Sequence, residues 1–197
     1  MNNKHVTQEL MWSTPIWRTQ LWDFMRSETR TTFNEHMTTW MKSQRDKHKS
    51  VFKSNRGGWQ SDLQKPEGEF EPLVNEIKQF CKSLPLNISE VSVEQLWFNI
   101  NKKNDWNIIH NHGSHYHLSG TYYVRVPENS GRIVFRDPRP GQLLNNFMME
   151  RFDNNELYYK DIMEGLLMIW PSYVDHFVEP SQTNEERISI SFDIIAK

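Results

Sequence analysis

From residue 91 onward the chain breaks into short apolar and aromatic runs, each closed by a turn signal, and this punctuation restricts it to a small set of folds. The runs are 91–100, 108–112, 118–126, 132–135, 166–170, 174–178 and 187–195. Between them lie Asn104-Asp105, Glu128-Asn129-Ser130-Gly131, the segment 137–141 with two prolines and a glycine, Pro171-Ser172, and 181–185. Asn, Asp, Gly and Pro end extended structure because they tolerate or impose turn dihedrals. Short strands in even succession imply an antiparallel sandwich or jelly roll. Residues 142–161 are too long and irregular for a hairpin turn and are expected to form an insertion over one mouth of the barrel.

Residues 20 to about 85 have a different texture, polar and helix-permissive. Leu73, Ile77, Phe80 and Leu84 recur at spacings of four, three and four, which puts them on one helical face after Pro72 at the helix start. Phe24, Phe33, Met37 and Trp40 suggest a second, less regular helix over 24–40. The basic stretch 42–53 reads as solvated helix ends and loops. The expected architecture is therefore mainly β with flanking helices (α+β): one domain over 1–197, in which 1–90 is a helical support packed on one sheet and 91–197 is the jelly-roll core.

Composition narrows the function. Mean hydropathy is low at -0.76, but an aromatic content of 13% supplies the burial units that disordered chains lack. A net charge of -2 and a pI near 6.4 give no basic field to attract nucleic acid or an anionic membrane. Cys81 is the single cysteine, so no intramolecular disulfide can form. Residues 1–7 lack the apolar core of a signal peptide, and no apolar run approaches the roughly 18 residues of a membrane span. A cytoplasmic setting is expected.

The histidines carry the chemical signal. His110, His112, His115 and His117 cluster, and His176 stands alone near the C-terminus. In a strand, residues i and i+2 point to the same face, so His110 and His112 can aim together into a barrel. His176, 64 residues beyond His112, lies on a run that a jelly roll can place opposite the pair. Three imidazoles with open coordination positions suit iron, zinc, copper or nickel, and the lack of clustered cysteines argues against a closed structural zinc site. A histidine at a strand end can equally be a hydrogen-bonded surface residue. His115 and His117, past the Gly113-Ser114 turn, fit loop or entrance roles.

The last run adds an independent clue. Arg187, Ser189 and Ser191 alternate with Ile188, Ile190 and Phe192, so one face of this strand is polar. Arginine with a serine two residues on can grip the distal carboxylate of a dianionic co-substrate; alternatively Arg187 pairs with Glu185 or Glu186 at the surface. Asn99 and Tyr123 are further candidates for contacting a co-substrate, or are ordinary core or rim; Arg139 is a similar case.

Taken in order, Trp106-Asn107-Ile108-Ile109-His110-Asn111-His112, Ser119-Gly120-Thr121-Tyr122-Tyr123-Val124, Phe135-Arg136-Asp137-Pro138-Arg139, residues 164–172, His176 and residues 187–192 resemble the 2-oxoglutarate/iron(II) oxygenase family that includes marine bacteriophage and bacterial members, relatives of the prolyl 4-hydroxylase-like oxygenases. Thr14-Pro15-Ile16-Trp17 and Gly57-Gly58-Trp59-Gln60-Ser61 extend the similarity over nearly the whole chain. The resemblance implies a double-stranded β-helix, a cupin-like jelly-roll barrel. It makes His110 the first metal ligand, His176 the distal ligand, and Arg187 with Ser189 the anchor for 2-oxoglutarate. His112 stands where the wider superfamily has Asp or Glu; it either ligates directly or stands behind a water that takes the third position, and strand geometry favours ligation.

The expected activity is iron(II)- and 2-oxoglutarate-dependent dioxygenation, in which O2 and 2-oxoglutarate are consumed, succinate is formed and an unidentified prime substrate is hydroxylated. Asn99 and Tyr123 join Arg187 and Ser189 as expected co-substrate contacts. The alternatives are a three-histidine cupin dioxygenase that needs no 2-oxoglutarate, and a non-catalytic metal-binding jelly-roll module of a virion. Expected partners are the small-molecule co-substrate and the prime substrate, without nucleic acid or membrane; a homodimer is left open. A phage-encoded chain acts in the host cytoplasm.

Overall fold

The computed structural model describes residues 13–21, 27–138, 156–158 and 162–197. In chain order the elements are β1 (Trp17–Gln20), α1 (Ser27–Lys47), β2 (Asn55–Arg56), β3 (Trp59–Gln60), α2 (Glu71–Ser83), β4 (Val91–Asn101), β5 (Trp106–His110), β6 (Leu118–Arg125), β7 (Ile133–Arg136), β8 (Glu156–Tyr158), β9 (Leu166–Pro171), β10 (His176–Val178) and β11 (Arg187–Ala196). They pair into two antiparallel sheets, a six-stranded one ordered β1-β9-β6-β11-β4-β3 and a five-stranded one ordered β2-β5-β10-β7-β8. This is the mainly β architecture with flanking helices that the punctuation implied. The sheets share no strand, and among the described residues they do not join into a closed barrel.

Period-two alternation gives the larger sheet two different faces. Outward, Ile188, Ile190, Phe192 and Ile194 of β11 pack with Leu96, Phe98 and Ile100 of β4 and with Tyr122 and Val124 of β6 in the main core. The helices cover this face. α2 has Pro72 in its first turn and buries Leu73, Val74, Ile77, Phe80 and Cys81; each buried aliphatic side chain of this kind contributes about 1.5–3 kcal/mol. α1 contributes Met37 and Met41, both fully buried, and its Asn34 accepts a hydrogen bond from Tyr122 Oη at 2.8 Å.

Toward the smaller sheet the larger one is only partly apolar. Leu166, Met168 and Trp170 of β9 and Tyr123 of β6 form a second cluster with Ile133 and Phe135 of β7. Across β11 and β4 the same layer holds buried Arg187, Ser189 and Asp193 and buried Asn99 and Asn101. Polar side chains where a sandwich places apolar ones are costly to desolvate unless they are used. They mark the site.

Gly120 fixes how closely β6 and β11 approach. It stands opposite Phe192 in the ladder, and a Cβ there meets Phe192 Cζ at 2.4 Å and the Met168 carbonyl oxygen at 2.5 Å. Gly120→Ala is expected to destabilise the fold by about 1–3 kcal/mol, read as a lower urea midpoint. An unchanged midpoint contradicts this packing.

Two expectations change. The second helix begins at Ser27 and runs to Lys47, so the basic stretch 42–53 starts inside it; Lys42 and Arg45 both hold Glu186. β1, β2 and β3 were not anticipated, being two to four residues long and defined by their partners rather than by any pattern of their own. The insertion at 142–161 lies outside the described residues apart from β8, as do Phe24, Arg139 and residues 1–7.

Candidate functional site

His110 ends β5 and stands in register with His176, the first residue of β10, so one cross-strand pair presents two imidazoles with ring centroids 4.4 Å apart. The third comes from beyond the strand. β5 stops at His110, and strand alternation is therefore not what aims His112. A turn does so: the His112 N–H donates to the Ser172 carbonyl at 2.9 Å, Asn111 Nδ2 donates to Asp175 at 2.7 Å, and Asn111 Oδ1 accepts the Gly113 N–H at 3.0 Å. One nitrogen from each of His110, His112 and His176 lies within 4.8 Å of the other two.

Hydrogen bonds decide which nitrogens face inward. His110 Nδ1 lies 2.7 Å from the Ile108 carbonyl and His176 Nδ1 lies 3.0 Å from the Val174 carbonyl. A carbonyl only accepts, so each Nδ1 carries its proton and each Nε2 keeps a free lone pair. His112 Nδ1 is 2.6 Å from Asp193 Oδ1, and His112 Nε2 is buried with no hydrogen-bond partner. An orphaned buried acceptor is expensive. Three convergent imidazole nitrogens, one of them orphaned, fit a borderline metal ion such as iron(II).

Burial, aided by repulsion between the rings, pushes the His110 pKa below the ordinary 6.5 and that of His176 well below it. Both are neutral at pH 7, the form that binds metal. The unfolded chain takes up protons that these folded histidines refuse, so their contribution to stability is full above about pH 6.5 and is lost as the pH falls toward the folded values. The metal-free protein is expected to unfold at lower urea at pH 5.5 than at pH 7.5, with a smaller difference in His176→Asn. An equal difference in that variant contradicts this origin.

Arg187 opens β11, is 3% exposed and donates from Nη1 to the Gly131 carbonyl at 2.8 Å. That carbonyl belongs to a turn at positive φ, 82°, where an added Cβ meets the Glu179 carbonyl oxygen at 2.3 Å, so glycine is required. The surface alternative is not what the structure shows. Glu185 takes Arg125 at 2.8 Å, and Glu186 is held by Lys42 at 2.8 Å and by Arg45. Among the described residues no acid forms a salt bridge with Arg187, and its Nε is buried without a partner. Burial lowers its pKa, against the attraction of Tyr123 and Asp105. Burial also pushes the Tyr123 hydroxyl up to about 12, so it stays a neutral donor.

A single cavity connects these groups. Its empty volume is about 500 Å³ including the open mouth, and its walls include the three histidines, Asn99, Tyr123, Arg187 and Ser189. Asn99 Oδ1 is buried without a partner. His115 and His117 are exposed and outside it; His117 Nδ1 accepts the Ala196 N–H at 3.1 Å. Two residues with a place here escaped sequence reasoning. Trp170 lines the cavity with an unpartnered Nε1–H and stands edge-on to His176 at 4.9 Å; nothing in its own run distinguished it from core. Asp193 braces His112, and extending the polar alternation of Arg187, Ser189 and Ser191 by one step finds it.

Comparison with known proteins bears on the family and the fold. A family model described as "Putative 2OG-Fe(II) oxygenase" matches residues 95–193, which is half of the chain and includes the three histidines, Arg187 and Asp193. No curated protein sequence matches. Among solved structures, a Pseudomonas putida prolyl-4-hydroxylase is similar at a TM-score of 0.65 and 12% identity, with 94% of each chain covered. A viral collagen prolyl hydroxylase from Paramecium Bursaria Chlorella virus-1, solved with 2OG, gives 0.61 and 13%, covering 91% of this chain and 94% of that one. HygX from Streptomyces hygroscopicus, with nickel, 2-oxoglutarate and hygromycin B bound, gives 0.59 and 9%, covering 92% and 82%. At these identities the likeness is one of fold.

Proposed function

We propose that this chain, which belongs to the 2OG-Fe(II) oxygenase family and is thereby an oxidoreductase, couples oxidative decarboxylation of 2-oxoglutarate to hydroxylation of a second substrate at a centre held by His110, His112 and His176. Iron(II), 2-oxoglutarate and O2 are the cofactor and co-substrates of that family. The carrying observation is that one cavity joins three convergent imidazole nitrogens to a buried guanidinium that forms no salt bridge among the described residues. A buried unpaired cation calls for an anionic ligand.

Each residue then has a task. His110, His112 and His176 would hold the metal through their Nε2 atoms, and the acceptors behind them fix ring orientation. Bound iron(II) supplies the centre at which O2 is activated and the keto acid is oxidised. Arg187 receives the distal carboxylate through charge-assisted hydrogen bonds, with the Ser189 hydroxyl and the Tyr123 hydroxyl as neutral donors beside it. Asn99 and the Trp170 Nε1–H offer one acceptor and one donor to fix the orientation of bound molecules. Ile133 and Trp170, which line the cavity and belong to the second cluster, exclude water from one side of it and strengthen its electrostatics. The Arg187 guanidinium also favours this reading over a three-histidine dioxygenase that needs no 2-oxoglutarate.

The test is an anaerobic titration of the metal-free protein with iron(II) and then 2-oxoglutarate. A visible metal-to-ligand charge-transfer band that saturates at one equivalent of each is expected. Iron bound without any such band contradicts chelation of the keto acid.

A further inference from the structure

Asp193 is the most buried acid among the described residues, 1% exposed, and its one ion-pair candidate there is the His112 imidazole, with no lysine or arginine against it. Two neutral donors and one imidazole hold it: Ser119 Oγ donates to Oδ1 at 2.6 Å, Gln95 Nε2 donates to Oδ2 at 2.7 Å, and His112 Nδ1 lies 2.6 Å from Oδ1. Ser119 is itself fully buried and hydrogen-bonded to Ser172 at 3.0 Å. Ser172 is also the residue whose carbonyl holds the His112 backbone. A bracket of three strands and one turn thus grips a carboxylate and points it at the back of a single imidazole.

A buried carboxylate is stable only if charge of opposite sign lies close by. Three imidazole ligands give the metal centre no negative charge of their own, so a divalent ion there keeps its full charge. The two unmet demands meet through the His112 ring, with Asp193 on Nδ1 and the orphaned Nε2 on the other side. A carboxylate accepting the Nδ1 proton fixes the tautomer, holds the ring plane and makes Nε2 a stronger donor.

We propose that Asp193 is a positioning residue that supplies the metal centre with its negative charge through His112, so that an Asp–His pair takes the part of a directly coordinating carboxylate. This rests on the three-histidine centre proposed above. It also gives β11 two tasks along one face, with Arg187 at one end for the co-substrate anion and Asp193 at the other for the metal cation.

Zinc(II) affinity, measured by competition with a chromophoric chelator, separates this inference from the function itself, since no 2-oxoglutarate or turnover is involved. Asp193→Asn keeps the size and one acceptor oxygen while removing the charge, and is expected to lose on the order of 10–100-fold in affinity. In a His112→Ala background the same substitution is expected to change affinity by less than about threefold, because the route to the metal is gone. An Asp193→Asn protein that binds zinc(II) as the parent does, or one that loses as much in the His112→Ala background, overturns the inference while leaving the proposed function standing. A parent protein that takes up no metal overturns both. Should Asp193→Asn fail to fold, the zinc-loaded parent answers alone: its histidine nitrogen NMR spectrum is expected to show His112 protonated at Nδ1 and coordinated at Nε2. The opposite assignment overturns the inference.

Discussion

Replacing Arg187 by methionine is expected to leave the protein folded and able to bind metal while weakening 2-oxoglutarate binding by about 30-fold to about 4,000-fold. Truncating one partner of a buried, hydrogen-bonded charge pair costs about 2–5 kcal/mol, at roughly 1.4 kcal/mol per tenfold. Methionine fills much of the arginine volume without its charge or its donors. The free protein should not suffer. Arg187 is a buried cation without a salt-bridge partner among the described residues, and its Nε is unsatisfied. Exchanging such a group for an apolar one is commonly neutral or stabilising. Stability and binding therefore move in opposite senses, the pattern of a residue kept for its ligand. Urea unfolding and the anaerobic charge-transfer titration, run on the same samples, read both. Co-substrate affinity within about threefold of the parent contradicts the assignment of Arg187.

Replacing His176 by alanine is expected to reduce metal affinity by more than the roughly 100-fold that marks the upper end of changes to outer partners. His176 is 5% exposed and is the one histidine of the three classed as buried. Its ring lies edge-on to Trp170 at 4.9 Å and 6.0 Å from Phe135, and its Nδ1 is committed to the Val174 carbonyl. Among the described residues no fourth histidine lines the cavity, and His115 and His117 are exposed beyond the turn. Chelator competition with zinc(II) measures the loss. If His176→Ala retains parental affinity while His115→Ala or His117→Ala loses it, the centre has been placed on the wrong histidines.

The sequence made the strands legible wherever one face is apolar and the other is not. Alternation in 187–195 separated the Ile188, Ile190 and Phe192 face from the Arg187, Ser189 and Ser191 face, and the structure turns the first to the helices and the second to the cavity. The α2 face was equally readable from Leu73, Ile77 and Phe80 at helical spacing, whereas Leu84, expected on the same face, is the extended residue just past the helix end. What stayed hidden depends on contacts between distant segments. β1 to β3 are too short to carry a period and exist through their partners β9, β5 and β4. His112 was identified as a residue, but the strand argument gave the wrong cause for its orientation, which comes from Ser172, 60 positions away. That Arg187 lacks an acid was not readable beside Glu185 and Glu186 either. Only the fold shows that those two are taken by Arg125 and by Lys42 with Arg45. Asp193 was within reach of the same alternation, but its task is apparent only once His112 stands behind it.

The central claim is that one cavity holds metal on three histidines and a dicarboxylate on Arg187. A crystal structure of the protein grown without oxygen with manganese(II) and 2-oxoglutarate tests it most directly, with anomalous scattering locating the ion. The ion is expected in direct coordination with Nε2 of His110, His112 and His176, and the far carboxylate of 2-oxoglutarate on the Arg187 guanidinium. An ion bound through His115 or His117, or a co-substrate whose far carboxylate lies away from Arg187, contradicts it.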